Sequence, residues 1–280
     1  MKRMMIFFLA LMLMLPALSF ADQDVLVSSG NQQYDNIQVL GRNCYTTKDG
    51  DDERIWVFYE MYNGGANPIN INCGNSGIDF LDAKGNVIYA THDYLLSYPD
   101  IVAPGQKFYI IEDLIREYNP EAFPAATQAA DYRLRLDLSS SYNVNDLYKF
   151  TAVNLPITWT YEKKQSGFFD KLFGSKGDHY YEFTFDITNN TGIDITNPGR
   201  SQMGNIEIVI ILRDQNGAPI FISHESGGFA DPGITELKAG QTKHAKISQN
   251  WNMVFDFFAQ YDFTVTSAEL VAYITNSHLY

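Results

Sequence analysis

Two histidine–carboxylate pairs, His92-Asp93 and His224-Glu225, are the residues best suited to acid–base or metal chemistry. An imidazole beside a carboxylate can transfer protons near neutral pH or ligate a metal. Neighbouring residues of a β-strand point to opposite faces, however, so the two members of each pair would not easily act together. Two hypotheses follow: a metal-dependent or hydrolytic activity, or histidines that serve only the structure.

A second candidate is the acidic segment Asp49–Glu53, whose carboxylates are the kind of ligand that Ca²⁺ takes. Its spacing does not fit the 12-residue calcium loop, and Asp and Gly are equally common in hairpin turns. The chain has no nucleophile elbow, phosphate-binding loop or His-Glu-x-x-His motif. We therefore predict a protein that is not an enzyme and has no cofactor and no metal site.

The segment Lys163–Gly177 could make an intermolecular contact because it combines positive charge with large apolar side chains. The residues that would bind are Lys163, Lys164, Lys171, Phe168, Phe169 and Phe173. Phenylalanines exposed at a loop tip must be covered by something. The cover could be a protein partner, a membrane surface, or the chain's own sandwich.

An internal repeat indicates which elements position these residues. Gly85–Asp93 aligns without gaps on Gly217–Glu225, and Ile55–Asn63 corresponds to Tyr181–Asn189. The repeat predicts two domains, residues 22–150 and 151–280. In this alignment the acidic segment of the first copy and the basic segment of the second connect the same two strands.

The repeated unit has the pattern of β-strands. Side chains alternate between apolar and polar along Tyr181–Thr188, and Asp82–Gly85 and Asp214–Gly217 supply turns. The pattern predicts an all-β chain with one β-sandwich in each domain. The exception is Ile111–Tyr118, whose apolar spacing predicts a short helical connection.

Trp56 and Phe58 indicate an apolar outer face on the first copy, because the second has Glu182 and Thr184 at the matching positions. The cover of this face could be the other domain, a ligand or a protein partner. Exposed aromatic rings also stack on sugars, so carbohydrate binding is a further alternative.

The motifs resemble the FxLYD-type immunoglobulin-like domains of secreted bacterial proteins. The resemblance is carried by an Asn-rich turn, by an apolar strand ending in Phe80-Leu-Asp82 or Leu212-Arg-Asp214, and by Gly-Gln at Gly105 and Gly240. It implies two tandem immunoglobulin-like sandwiches in an envelope protein, and it implies no catalytic residue.

The N-terminus has the layout of a secretory signal peptide over residues 1–21, with basic Lys2 and Arg3, an apolar run and cleavage after Ala21. The mature protein would then be periplasmic or secreted. Its partner would be another envelope or extracellular protein, with a membrane surface as the alternative. The net charge of −13 argues against nucleic acid as a partner.

In an oxidising compartment, the two cysteines, Cys44 and Cys73, predict one disulfide. The oligomeric state stays open.

Overall fold

The computed structural model describes residues 24–28, 36–49, 52–91, 95–140, 142–165, 179–197, 205–248 and 264–275. Over these residues the chain is an all-β protein with two short helices, which confirms the predicted fold class. Neither described helix is long and apolar enough to cross a membrane.

The N-terminal half contains two four-stranded sheets and one strand pair. The first sheet has the order β1 (Val25–Ser28), β10 (Asp131–Asp137), β5 (Gly77–Leu81) and β6 (Val87–Ala90). The second has the order β2 (Ile37–Asp49), β3 (Asp52–Asn63), β9 (Gln106–Ile115) and β7 (Leu96–Tyr98). The strand pair is β4 (Ile69–Asn70) with β8 (Ile101–Val102), and helix α1 (Ala122–Gln128) connects β9 to β10.

The C-terminal half contains one four-stranded and one three-stranded sheet. The larger has the order β11 (Ala152–Leu155), β17 (Ser267–Thr275), β14 (Ile206–Arg213) and β15 (Pro219–Ser226). The smaller has the order β12 (Ile157–Gln165), β13 (His179–Thr188) and β16 (Thr242–Ser248). Helix α2 (Val144–Leu147) lies in the connection between the halves, and a 3₁₀ turn follows β15 at Gly227–Phe229.

Each half buries its own core between its two sheets, so the arrangement is sandwich-like. In the N-terminal half, Val57 and Phe108 of one sheet share a core with Ile78 and Leu134 of the other. In the C-terminal half the β13 side chains that were predicted to face inward are buried, namely Tyr181, Phe183, Phe185 and Ile187. The period-2 alternation of this strand is therefore confirmed.

The predicted helical connection at Ile111–Tyr118 is wrong, because Ile111–Ile115 belong to the interior strand β9. Both faces of β9 are covered: Ile110 and Leu114 pack in the N-terminal core, while Ile111 packs against the C-terminal half. A strand with two buried faces loses the polar–apolar alternation that normally distinguishes it from a helix.

The aligned segments of the two halves have the same local structure. In both Asp-x-x-Gly turns the glycine has a positive φ, +81° at Gly85 and +80° at Gly217, and its N–H donates to the Asp82 or Asp214 carbonyl at 2.9 and 3.1 Å. Buried Asn63 and Asn189 each donate from Nδ2 to the carbonyl four residues onward, at 2.9 and 2.8 Å. The motif residues behind the family resemblance thus stabilise turns. Duplication of one ancestral unit stays a prediction.

Candidate functional site

The basic segment begins later than the sequence pattern predicts, because β12 continues through Gln165, which pairs with His179 of β13. Lys163 and Lys164 therefore lie on the hairpin stem. Lys164 Nζ is 3.1 Å from Glu182 Oε1 and 3.2 Å from Glu162 Oε2, and hydrogen bonding to these carboxylates raises its pKa. The remaining predicted binding residues lie outside the described part of the chain: Phe168, Phe169, Lys171 and Phe173.

The apolar face that carries Trp56 and Phe58 is covered by the C-terminal half of the same chain. Trp56 is 6% exposed and Phe58 is fully buried. The Phe58 ring meets Phe221 of β15 edge-on, with centroids 5.7 Å apart. Packing between the halves is thus the cover that the structure shows, and neither residue is open to a partner or a sugar.

The predicted disulfide is wrong: Cys44 and Cys73 are free thiols. Cys44 lies within β2 opposite Val57, whereas Cys73 lies in the turn after β4, where its Sγ is 3.7 Å from Asp100 Oδ1. Burial raises the pKa of both thiols to about 12, so both stay protonated at neutral pH. Two cysteines form a disulfide only where the fold brings their side chains together, and the number of cysteines does not show whether it does.

The histidine–carboxylate pairs do not form a joint site in the described residues. His92 and Asp93 lie outside these residues. His224 and Glu225 lie on β15, where alternation directs them to opposite faces. Glu225 is buried at 2% exposure, and desolvation raises its pKa to about 8.

The acidic segment Asp49–Glu53 joins β2 to β3, and its residues 50–51 lie outside the described part. Glu53 forms an ion pair with Arg116, so this carboxylate already has a cation from the chain. Among the described residues, no group of three or more His, Cys, Asp and Glu side chains is arranged to hold a metal ion.

A cleft of about 330 Å³ lies where the two halves meet. The N-terminal half contributes the end of β7 and the turn that follows it, including Tyr98 and Asp100. The C-terminal half contributes side chains from β14, β15 and β17: Glu207, His224 and Tyr273. Two aromatic residues that flank α2, Tyr142 and Phe150, complete the aromatic part of the wall.

The floor of the cleft is set by strand register. Glu207 of β14 lies directly opposite Tyr273 of β17, and His224 of β15 pairs with Val209, two residues beyond Glu207. This diagonal placement lets His224 Nε2 approach Glu207 Oε2 to 2.7 Å. The approach lacks hydrogen-bond geometry, and neither atom has another hydrogen-bond partner among the described residues.

Tyr98 joins the two sides of the cleft. Its ring stacks on the His224 imidazole, with centroids 3.9 Å apart and planes 10° apart. Burial, together with the nearby carboxylates of Asp100 and Glu207, raises the pKa of Tyr98 to about 12. Burial and the same carboxylates also raise the pKa of Tyr273. Both phenols therefore remain neutral hydrogen-bond donors at physiological pH.

Asp100 lies at the mouth of the cleft, exposed to solvent yet closely surrounded by protein atoms. This crowding raises the pKa of its carboxyl group, although the hydrogen bond from Cys73 and the nearby His224 act in the opposite direction.

An ion-pair network of four residues, next to the Phe58–Phe221 contact, stabilises the contact between the halves and hence the cleft. Arg213 of β14 forms a bidentate pair with Glu60 of β3, and its Nη2 is 2.6 Å from Glu269 Oε2. Lys107 Nζ is 2.9 Å from Glu60 Oε1 and 3.2 Å from Glu269 Oε1. Burial opposes ionisation of Glu60, but the hydrogen bonds from Arg213 and Lys107 outweigh it and lower its pKa.

Of the cleft residues, the sequence pattern singled out only His224. Tyr98, Asp100, Glu207 and Tyr273 are far apart along the chain and belong to no motif. One local signal was present: Tyr98-Pro99-Asp100 combines a turn residue with an aromatic ring and a carboxylate. Nothing in one sequence shows that this turn packs against β14 and β17.

No family model and no curated protein sequence matches this chain. Among solved structures, one of carbohydrate-binding modules from the β-sandwich superfamily is 11% identical, with a TM-score of 0.16; the alignment covers 84% of this chain and 91% of that one. A mutant of Bacillus subtilis oxalate decarboxylase is 7% identical, with a TM-score of 0.11, over 90% of this chain and 80% of the other. Similarity at this level carries no argument about function.

Proposed function

We propose that this chain is an exported, non-catalytic binding module of the bacterial envelope that holds a group of a protein partner in the cleft between its halves. The observation that carries the proposal is the cleft itself. It is a concave site with four aromatic rings and two carboxylates, built jointly by the two halves. Ligand sites commonly combine an apolar wall with a few convergent polar groups at such junctions.

The export step rests on residues 1–21, whose basic start, apolar run and small residues before the cut have the pattern of a signal peptide. The envelope setting rests on the resemblance to immunoglobulin-like domains of secreted bacterial proteins. The segment 166–178 between β12 and β13, which lies outside the described residues, is a second contact in this proposal because it combines positive charge with large apolar residues.

The non-catalytic part of the proposal rests on how the polar groups are distributed. The histidine of the cleft contacts a carboxylate and an aromatic ring, and the serine of the cleft wall, Ser97, donates its hydroxyl to the Pro99 carbonyl at 2.9 Å. A nucleophile within hydrogen-bond reach of a base is the arrangement that covalent catalysis requires. Binding needs no such arrangement.

Ligand-observed NMR on residues 22–280 would test the proposal with a panel of neutral oligosaccharides, blocked basic peptides and blocked acidic peptides. We expect one class to bind the wild type and to be lost in Tyr98→Ala. Tyr118→Ala is the matched control, because this tyrosine is 73% exposed and lies outside the cleft. Binding that survives Tyr98→Ala in a folded variant would contradict the site, and chemical turnover of a probe would contradict the non-catalytic assignment.

A further inference from the structure

The carboxylates of the cleft differ from two buried carboxylates of this chain that are paired with cations. Buried Asp79 pairs with Arg133 and Arg135 at 3.1 and 2.7 Å. Buried Glu60 pairs with Arg213 and Lys107. Asp100 and Glu207 face the cleft, yet within the described ranges neither has an arginine or lysine within ion-pair distance.

The net charge of the cleft wall is therefore negative. No lysine or arginine contributes to the wall among the residues that the structure describes. The one group that could offset the two carboxylates is His224, and even a doubly protonated imidazole would leave one negative charge. Glu207 is half-buried, and a half-buried charge is normally matched by an opposite charge, so a cation supplied from outside would offset this excess.

Glu207 also has unused hydrogen-bonding capacity. Its Oε2 atom is shielded from solvent and accepts no hydrogen bond of normal geometry from a described residue. A shielded carboxylate oxygen without a donor costs free energy, and a charged N–H donor compensates this cost better than a neutral one. Glu207 remains 29% exposed as a side chain, so an incoming group can approach its carboxylate, although Oε2 itself is buried beside His224 Nε2.

The aromatic walls suit the same kind of ligand. The rings of Tyr98 and His224 stack face to face, and the ring centroids of Tyr142 and Phe150 lie 5.0 Å apart with their planes at 42°. Aromatic faces attract ammonium and guanidinium groups through the ring quadrupole, and the attraction grows as the site is shielded from water.

We infer that the cleft binds a positively charged group, the guanidinium or ammonium of a basic side chain on a protein partner. The inference rests on the proposed function and adds the chemical class of what is bound. The cation would contact Asp100 and Glu207 and lie against the ring of Tyr98. The overall charge of −13 would draw a basic partner toward the chain at low ionic strength.

Isothermal titration of residues 22–280 with a blocked arginine tripeptide, Gly-Arg-Gly, would test the inference. The control probe is the same peptide with citrulline, which replaces the guanidinium by a neutral urea of nearly equal shape. We expect the arginine peptide to bind at least tenfold more tightly. In the double variant Asp100→Asn and Glu207→Gln the two peptides should bind equally, and added salt should weaken only the arginine peptide.

Four further outcomes are decisive. Equal binding of the citrulline and arginine peptides to the wild type, or a neutral saccharide that depends on Tyr98, would overturn the cationic ligand and leave the binding function intact. Agmatine is a small molecule that carries a guanidinium group without a peptide backbone. If agmatine bound as tightly as the arginine peptide, the ligand would be a free small cation, and the assignment to a protein side chain would be overturned. Failure of every probe class at the cleft would overturn both the inference and the proposed function.

Discussion

Whether a buried carboxylate stabilises or destabilises this protein depends on the groups that surround it. Glu60 and Glu225 are about equally buried, at 3% and 2% exposure. Glu60 accepts hydrogen bonds from two cations and has a lowered pKa, whereas Glu225 has only desolvation and a raised pKa. The same residue type therefore contributes stability at one position and costs stability at the other.

Glu225→Gln should stabilise the fold at neutral pH. The folded pKa of Glu225 is about 8 against an ordinary value of 4.5, so the wild type loses stability as pH rises from about 4.5 to about 8. The variant should be more stable by roughly 3 kcal/mol at pH 7, and equal to the wild type below pH 4. Urea unfolding across this pH range measures the difference. An unchanged pH profile would contradict the burial of an uncompensated carboxylate, and Glu236→Gln on the surface is the control.

Among the secondary-structure elements, the turns were the most predictable from the sequence. The two Asp-x-x-Gly turns and the asparagines at 63 and 189 form the same hydrogen bonds in both halves, because short side chains and positive-φ glycines determine structure locally. The strand β9 was mistaken for a helix because its environment, two packed faces, is not a local property. Alternation predicts strands with one buried face, and β9 has two.

Gly217→Ala should destabilise the protein by about 1 kcal/mol. A Cβ at this position would have open space around it, so the cost comes from the positive φ of +80° alone. Gly85→Ala, at the equivalent turn, should cost about as much, and Gly217→Asn should cost less because asparagine tolerates this conformation. Thermal unfolding of the three variants measures these differences in stability. A loss of several kcal/mol would show that the turn does more than reverse the chain.

The segment between β12 and β13 gives a prediction about docking. Replacing Phe168, Phe169 and Phe173 by serine should reduce co-sedimentation of the mature protein with envelope fractions of its own organism, because a segment that combines lysines with large apolar residues is suited to a partner surface. Thermal stability should not change. A drop in stability with unaltered retention would instead mean that these rings pack on the chain's own sandwich.

Across the whole molecule, the contact between the halves creates the site. Trp56 and Phe58 provided the one sequence signal for this contact, since they replace polar residues of the other half. The partners of that contact, Phe221 and the network around Arg213, could not be predicted, because pairing across more than 150 residues leaves no local pattern. The cleft was missed for the same reason.

Glu60→Gln should weaken the contact between the halves. Removing the carboxylate leaves Arg213 and Lys107 with Glu269 alone, which we expect to cost about 2–3 kcal/mol at pH 7. The pKa of Glu60 is lowered in the fold, so the wild-type advantage is present above pH 4.5 and disappears as pH falls below it. Chemical unfolding at pH 7 and pH 3 tests this. Lys149→Met, which removes an exposed pair, should have almost no effect at either pH.

The central claim, that a partner binds in the cleft, is tested most directly by photo-crosslinking in the cell. A benzophenone amino acid would replace Tyr142, which lies at the cleft and is 43% exposed, and, separately, the distant Tyr118. We predict a covalent protein adduct from position 142 alone, abolished by adding Asp100→Asn and Glu207→Gln. No adduct at 142, or an adduct that persists in the double variant, would contradict the claim.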